Sequence, residues 1–248
     1  MLTILKGALN WAQGVYEGRE PLLTHHPLEA FRIPSERDPR RPVVSDTTTT
    51  ALLAVADAVH PYLRTLILLT RTTGRRLSAV LGLRWEDIDF HDGTIRWRAE
   101  HDKLRRTSVL PAARATLEEL RRFRAVQPGV GESPLFPHPK RTRHAGGPVT
   151  RHVAAYWLRR AYEISRAPKP AGSLWHAFRR LWATERKQLP VKDVAAAGGW
   201  KDITTLIECY QQPDDVTLRA VVDYLPPQLK VATSRFQARN KSQKFLAH

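Results

Sequence analysis

The chain is nearly free of sulfur: it has one cysteine, Cys209, and one methionine, Met1. A lone thiol rules out an intrachain disulfide and is too little for a cysteine-built zinc site, so a reducing compartment is the default. Cys209 reads more simply as a small helical hydrophobe than as a nucleophile. No apolar run approaches the roughly 20 residues that a membrane-spanning helix needs. The opening Met1-Leu2-Thr3-Ile4-Leu5-Lys6-Gly7 lacks the charged region and small-residue cleavage site of a secretory leader. No internal repeat is present. These absences make the cytoplasm the expected compartment, with no segment expected to cross a membrane. Acidic residues are scarce as well: 24 Asp and Glu face 40 Lys and Arg, for a formal charge of +16. Such a surplus favours a polyanionic partner, because each neutralised phosphate releases condensed counterions. An anionic membrane surface is the competing partner. With 248 residues, 42% of them hydrophobic, the chain is long enough for one large domain with a substantial core, with or without appendages.

Leu2, Leu5, Ala8, Leu9, Ala12 and Val15 recur at helical spacing and predict an amphipathic helix over 1–17. Residues 18–45 carry Pro21, Pro27, Pro34, Pro39 and Pro42 and read as a linker. A structured domain opens near Asp46, expected as a helix N-cap, with helices over 49–59, from Pro61 to Gly74, and over 77–83. The period then changes. Ile95, Trp97 and Ala99 alternate with Arg96, Arg98 and Glu100 after the turn dipeptide Asp92-Gly93, and Arg106–Leu110 adds a third short strand. Helices are expected over 112–125, 150–165, 174–188, 191–197, 203–212 and 214–224, with Thr150, Ser173 and Asp202 as caps. The fold class is α+β, mainly helical, with one small three-stranded antiparallel sheet. Residues 227–248 read as a basic tail.

Several residues suit phosphate chemistry. Arg76 follows the helix-ending Gly74, where an arginine can point into a cleft; most arginines in such a place are simply solvated. Lys103 sits on a hairpin, usually a solvated tip, yet a mobile ammonium is also a good general acid. His176 and Arg179 are three apart on a helix and share a face. Trp200 follows Gly198-Gly199 and has a single indole N–H to donate; Tyr210 offers a phenol oxygen. Each aromatic alone reads as core. Arg75, Arg105, Arg106, Arg180 and Lys201 lie beside these positions and are candidates for contacting a nucleic-acid backbone.

Taken in order, these segments resemble the tyrosine recombinase (phage integrase) family. Its first box, Thr-Gly-x-Arg-x-Ser followed by Leu-x-Trp-x-Asp-Ile, stands here as Thr73-Gly74-Arg75-Arg76-Leu77-Ser78 and Leu83-Arg84-Trp85-Glu86-Asp87-Ile88. The hairpin lysine matches Lys103, ahead of Val109-Leu110-Pro111. The His-x-x-Arg box matches His176 and Arg179, Gly199-Trp200 matches a Gly-His/Trp position, and Tyr210 stands where the nucleophile is expected. The likeness covers about residues 46–225, so that 46–226 reads as a catalytic domain. Residues 1–45 resemble the last helix of a core-binding domain and its linker.

The resemblance implies an integrase-type catalytic fold that cuts and rejoins double-stranded DNA with no metal and no cofactor. Tyr210 would form a 3′-phosphotyrosine, and Arg76 and Arg179 would hold the non-bridging oxygens. Lys103 would protonate the leaving oxygen, with His176 and Trp200 assisting. It also implies a homo-tetramer on DNA, with accessory DNA-bending or excision factors and residence at the nucleoid. Three departures stand out. Ala79 replaces an acidic residue, Arg180 replaces a histidine, and only residues 1–45 precede the catalytic part, which favours weak, salt-sensitive DNA binding. The competing readings are a DNA-binding remnant without turnover and a type IB topoisomerase. A metal nuclease using Asp87, Asp89, Glu100 and Asp102 is a third.

Overall fold

A computed structural model describes residues 2–14, 20–32, 42–101, 106–138, 146–213 and 215–224. The chain divides into two units, Met1–Pro39 and Arg40–His248. In the first, helix α1 (Leu2–Gln13) ends earlier than the sequence pattern suggests. Lys6 Nζ donates to the carbonyls of Glu29 and Phe31, at 3.3 and 2.7 Å. Ile4, Leu5 and Trp11 on α1 remain exposed.

The second unit begins inside the stretch expected as linker. Val44 is buried, and the Pro42 carbonyl accepts two bonds from Arg180, which fixes these residues to the larger body. Ser45, rather than Asp46, caps helix α2 (Asp46–Val59): its Oγ accepts from the Thr48 N–H at 3.1 Å, and Asp46 sits in the first turn. There a negative charge favours the helix dipole. Helix α3 (Leu63–Thr73) starts two residues past Pro61 and ends at Gly74, whose φ of 63° is left-handed. Helix α4 (Leu77–Leu81) is two residues shorter than expected, because Gly82 caps it.

The sheet has the order β1 (Ile88–Asp89), β2 (Thr94–Trp97), β3 (Ser108–Pro111), antiparallel throughout, with Ile88 opposite Ile95 and Ile95 opposite Leu110. Ile95 and Trp97 face the core, as alternation requires. Ala99 does not continue the strand but opens a 3₁₀ turn, Ala99–His101, and β3 begins two residues late, at Ser108. Among the described residues six helices follow: α5 (Arg114–Val126), α6 (Arg151–Ser165), α7 (Leu174–Glu185), α8 (Val191–Gly198), α9 (Ile203–Cys209) and α10 (Asp215–Val222). Helix α7 stops short of 188 because Leu189 precedes Pro190, and a residue before proline avoids the helical region.

Helix α2 packs on α6, and α3 packs on α5 and α7. The main core holds Leu52, Leu66, Ile67, Leu120, Phe123, Phe136 and Phe178. A smaller cluster joins α7, α8 and α9 through Trp182, Val194, Trp200 and Leu206, with Tyr210 packed against it. That second cluster fixes the C-terminal helices around the residues described next.

Candidate active site

Gly74 turns the chain out of α3, and the two arginines after it part company. Arg75 is buried, only 4% exposed; its guanidinium lies 5.0 Å from the Trp97 ring centroid and donates to Ser108 Oγ and the Ala196 carbonyl. Arg76 stands half-buried at the extended position before α4, and its Nη1 donates to the Gly199 carbonyl at 3.0 Å. Gly199 ends α8 at φ 71°, and a Cβ there would overlap the Arg75 guanidinium. Only glycine therefore presents that carbonyl to Arg76 while leaving Arg75 its place.

Helix α7 supplies His176 and Arg179. Arg179 is one of the largest fully buried side chains. Its Nη1 donates to the carbonyls of Gly74 and Gly198, and its guanidinium carbon lies 3.4 Å from the Trp200 ring centroid and 5.5 Å from that of Tyr210. Burial, with Arg76 and Arg75 adding to it, lowers its pKa to about 9, and the nearby Tyr210 works in the opposite direction. Carbonyls and a ring face orient the cation without neutralising it.

His176 is half-buried, with its Nδ1 3.2 Å from Ser173 Oγ. Ser173 sits at the helix N-cap position, as expected, but makes no side-chain bond to the backbone there. Burial lowers the His176 pKa to about 4, reinforced by Arg179, Arg180, Arg151 and Arg76. The imidazole is therefore neutral near pH 7 and a weaker base than a free one.

Tyr210 is not inside the helix expected over 203–212. It is the residue where α9 ends, at φ −121° and ψ −41°. Thr184 Oγ1 holds its carbonyl at 3.0 Å, and Lys187 Nζ holds that of Gln212 at 3.0 Å. Its ring meets Trp200 edge-on, centroids 5.0 Å apart. The Trp200 Nε1 is buried without a hydrogen-bond partner.

Arg76, His176 and Tyr210 line one cleft of about 830 Å³, together with Ser78, His101 and Arg151. Arg179 and Trp200 form the packed layer around Tyr210. As lining residues, His101 and Arg151 were not anticipated from the sequence, and Ser173 was expected only as a helix cap; Arg151, directly after the cap Thr150 at a helix start, carried the one usable signal. Two of the residues expected to contact DNA are buried. Arg75 is buried as described, and Arg180, 5% exposed, donates through Nε and Nη2 to the Pro42 carbonyl at 3.0 and 2.9 Å. Each guanidinium is turned inward onto a backbone carbonyl. Arg106 and Lys201 are exposed. Lys103, Arg105 and residues 227–248 lie outside the described residues.

Ala79 is buried beside a gap of about 10 Å³ lined by Arg75, Arg76, Arg98 and His101, room for about one water. Among the described residues, the carboxylates weighed as metal ligands do not converge. Asp87 is buried and paired with Arg96 and Arg98, at 2.9 Å each. Those pairs and the Arg84 N–H outweigh burial and hold its pKa below the usual carboxylate range. Asp89 accepts from the N–H groups of His91 and Asp92, and Asp102 is not among the described residues. Among the described residues no three His, Cys, Asp or Glu side chains are placed to share a metal ion, and no helix is long and apolar enough to cross a membrane.

Solved structures share this fold. A lambda integrase dimer bound to a COC′ core site aligns with a TM-score of 0.63 and 20% identity, over 86% of this chain and 59% of that one. The XerA recombinase aligns at 0.58 with 16% identity, over 73% of this chain and 63% of that one. The Tn1549 transposon integrase in complex with transposon right-end DNA aligns at 0.61 with 17% identity, over 88% and 76%. The chain thus spans about three fifths of the length of the first two structures. No curated protein matches it by sequence. Residues 44–216 match the phage integrase family, and the chain belongs to that family.

Proposed function

We propose that this protein is a site-specific recombinase that cuts and rejoins DNA strands through a phosphotyrosine at Tyr210. The observation that carries this reading is the single cleft lined by Tyr210, Arg76 and His176, with Arg179 packed against the tyrosine. Arg76 and Arg179 hold the non-bridging oxygens of the scissile phosphate and stabilise the extra charge of its transition state. His176, neutral and beside them, accepts the phenol proton as Tyr210 attacks. A phosphate in the cleft opposes the arginine field that lowers the basicity of the imidazole. The 3′-phosphotyrosine conserves the bond energy, so rejoining needs no nucleotide. Lys103 is assigned the leaving-oxygen proton by family resemblance.

Double-stranded DNA is the partner that fits a charge of +16. Neighbouring folds have been captured as a dimer on DNA and, for lambda integrase, as a tetramer on a Holliday junction. A tetramer on paired sites and accessory DNA-bending factors are the corresponding assembly for this chain.

The alternative is a DNA-binding remnant without turnover. Ala79 favours it, since it stands where the family resemblance expects an acidic residue, beside a gap lined by Arg75 and Arg76. One experiment separates the two. The protein is incubated with a pool of nicked duplexes of randomised sequence, and covalent adduct is sought on a denaturing gel. Adduct that disappears in Tyr210→Phe supports the recombinase; DNA binding without adduct at any protein concentration supports the remnant.

A further inference from the structure

His101 reaches both the large cleft that holds Tyr210 and Arg76 and the small gap beside Ala79, where it meets Arg76 again. Its position depends on Gly82: a Cβ at that residue would overlap the imidazole ring. The His101 Nε2 lies 3.7 Å from Glu100 Oε1, and Glu100 is in turn 4.0 Å from Arg84 Nη2. The ring is thus seated against a glycine and flanked by a carboxylate, at the edge of the cleft that holds Tyr210.

We propose that His101 is a further proton donor in strand cleavage, delivering a proton to the 5′-oxygen that leaves the scissile phosphate. The inference rests on the recombinase reading above and adds a second donor to Lys103. Glu100 Oε1 flanks Nε2 at 3.7 Å, and Nδ1 is the nitrogen assigned to the reaction. The step balances as follows. Tyr210 Oη bonds to phosphorus and gives its proton to neutral His176, the bond from phosphorus to the 5′-oxygen breaks, and that oxygen takes the proton from the His101 imidazolium. The accepting and the donating imidazole are separate groups on different elements lining the same cleft: His176 stands on α7, and His101 ends the 3₁₀ turn after β2, with a carboxylate beside it and Arg75, Arg76 and Arg98 lining the small gap that it also reaches. In the return reaction the same groups exchange roles.

The test compares cleavage of two nicked substrates by the full chain, one with the natural 5′-oxygen and one with sulfur in its place. A thiolate leaves without needing a proton. His101→Ala and the similarly shaped His101→Gln are expected to slow adduct formation by about tenfold or more on the oxygen substrate, a loss at the low end of general-acid effects because Lys103 remains. Both are expected to match the unsubstituted protein on the sulfur substrate. Gly82→Ala, which displaces the ring without altering a cleft residue, should show the same split. Equal rates on both substrates, or equal losses on both, overturn the proposal. If the unsubstituted protein makes no Tyr210-dependent adduct on either substrate, the recombinase reading falls, and this inference with it.

Discussion

The Arg179 guanidinium lies face-on to Trp200, 3.4 Å from the ring centroid, at the one point where α7, the end of α8 and Tyr210 meet. A cation this deeply buried is tolerable only with partners. Two carbonyls and an indole face supply them, so the residues that stabilise the charge are those that position the tyrosine.

Trp200→Ala should therefore damage fold and site together. Loss of a buried indole and of the cover over Arg179 is expected to lower stability by about 3–5 kcal/mol. Trp200→Phe, which keeps a ring face, should lose clearly less. Urea unfolding followed by circular dichroism measures both, and similar midpoints for the two variants would contradict the stacking role.

Arg179→Lys tests the fork rather than the charge. An ammonium cannot reach the Gly74 and Gly198 carbonyls, stack on Trp200 and present further donors to a phosphate at once. Adduct formation is expected to fall by about 10²–10³-fold, the usual cost of removing a transition-state donor. Gel assay of adduct at saturating protein, with the fold checked by circular dichroism, gives the result.

The pH dependence of stability should carry the mark of His176. Its pKa is lowered from 6.5 in the unfolded chain to about 4 in the folded one, so the unfolded state binds more protons between these values. The contribution is fully present above pH 6.5 and drains away as pH falls towards 4. His176→Gln should flatten the stability curve across that window while leaving the region above pH 7 nearly unchanged. Urea midpoints at a series of pH values decide it, and an unchanged slope in the variant would count against the buried, neutral imidazole.

Salt dependence should sort the arginines. Arg106→Ala and Lys201→Ala remove exposed cations, and each is expected to reduce the slope of log affinity against log salt by about 1 if it meets a phosphate. Arg75→Ala and Arg180→Ala remove buried residues that bind carbonyls. They should lower thermal stability and leave the slope unaltered. Fluorescence anisotropy of labelled duplex DNA across a salt series separates the pairs, and a reduced slope for Arg180→Ala would overturn its structural assignment.

Much of this was legible along the chain. Period-two alternation around Asp92-Gly93 located the sheet, and Gly74 and Gly199 marked the two turns that carry Arg76 and Trp200. Boundaries were less legible, because caps compete locally. Ser45 and Asp46 are both good caps, and only the hydrogen bond to Thr48 chose between them. The neighbouring arginines Arg75 and Arg76, like Arg179 and Arg180, were not separable either. Adjacent residues have the same composition and charge and differ only in direction, by about 100° on a helix.

Sequence alone determined the chemistry at hand: a phenol, an imidazole and several guanidinium groups, in a fixed order, on a cationic chain poor in acid and sulfur. Tertiary packing decided which of them meet. It turned Arg75 and Arg180 inward, laid Arg179 on Trp200, and brought His101 and Arg151 into the cleft with Tyr210. The reason is that a side chain's direction depends on which buried carbonyls and ring faces need it, and those come from segments about 20 to 140 residues away in the chain, a separation that local sequence pattern does not encode.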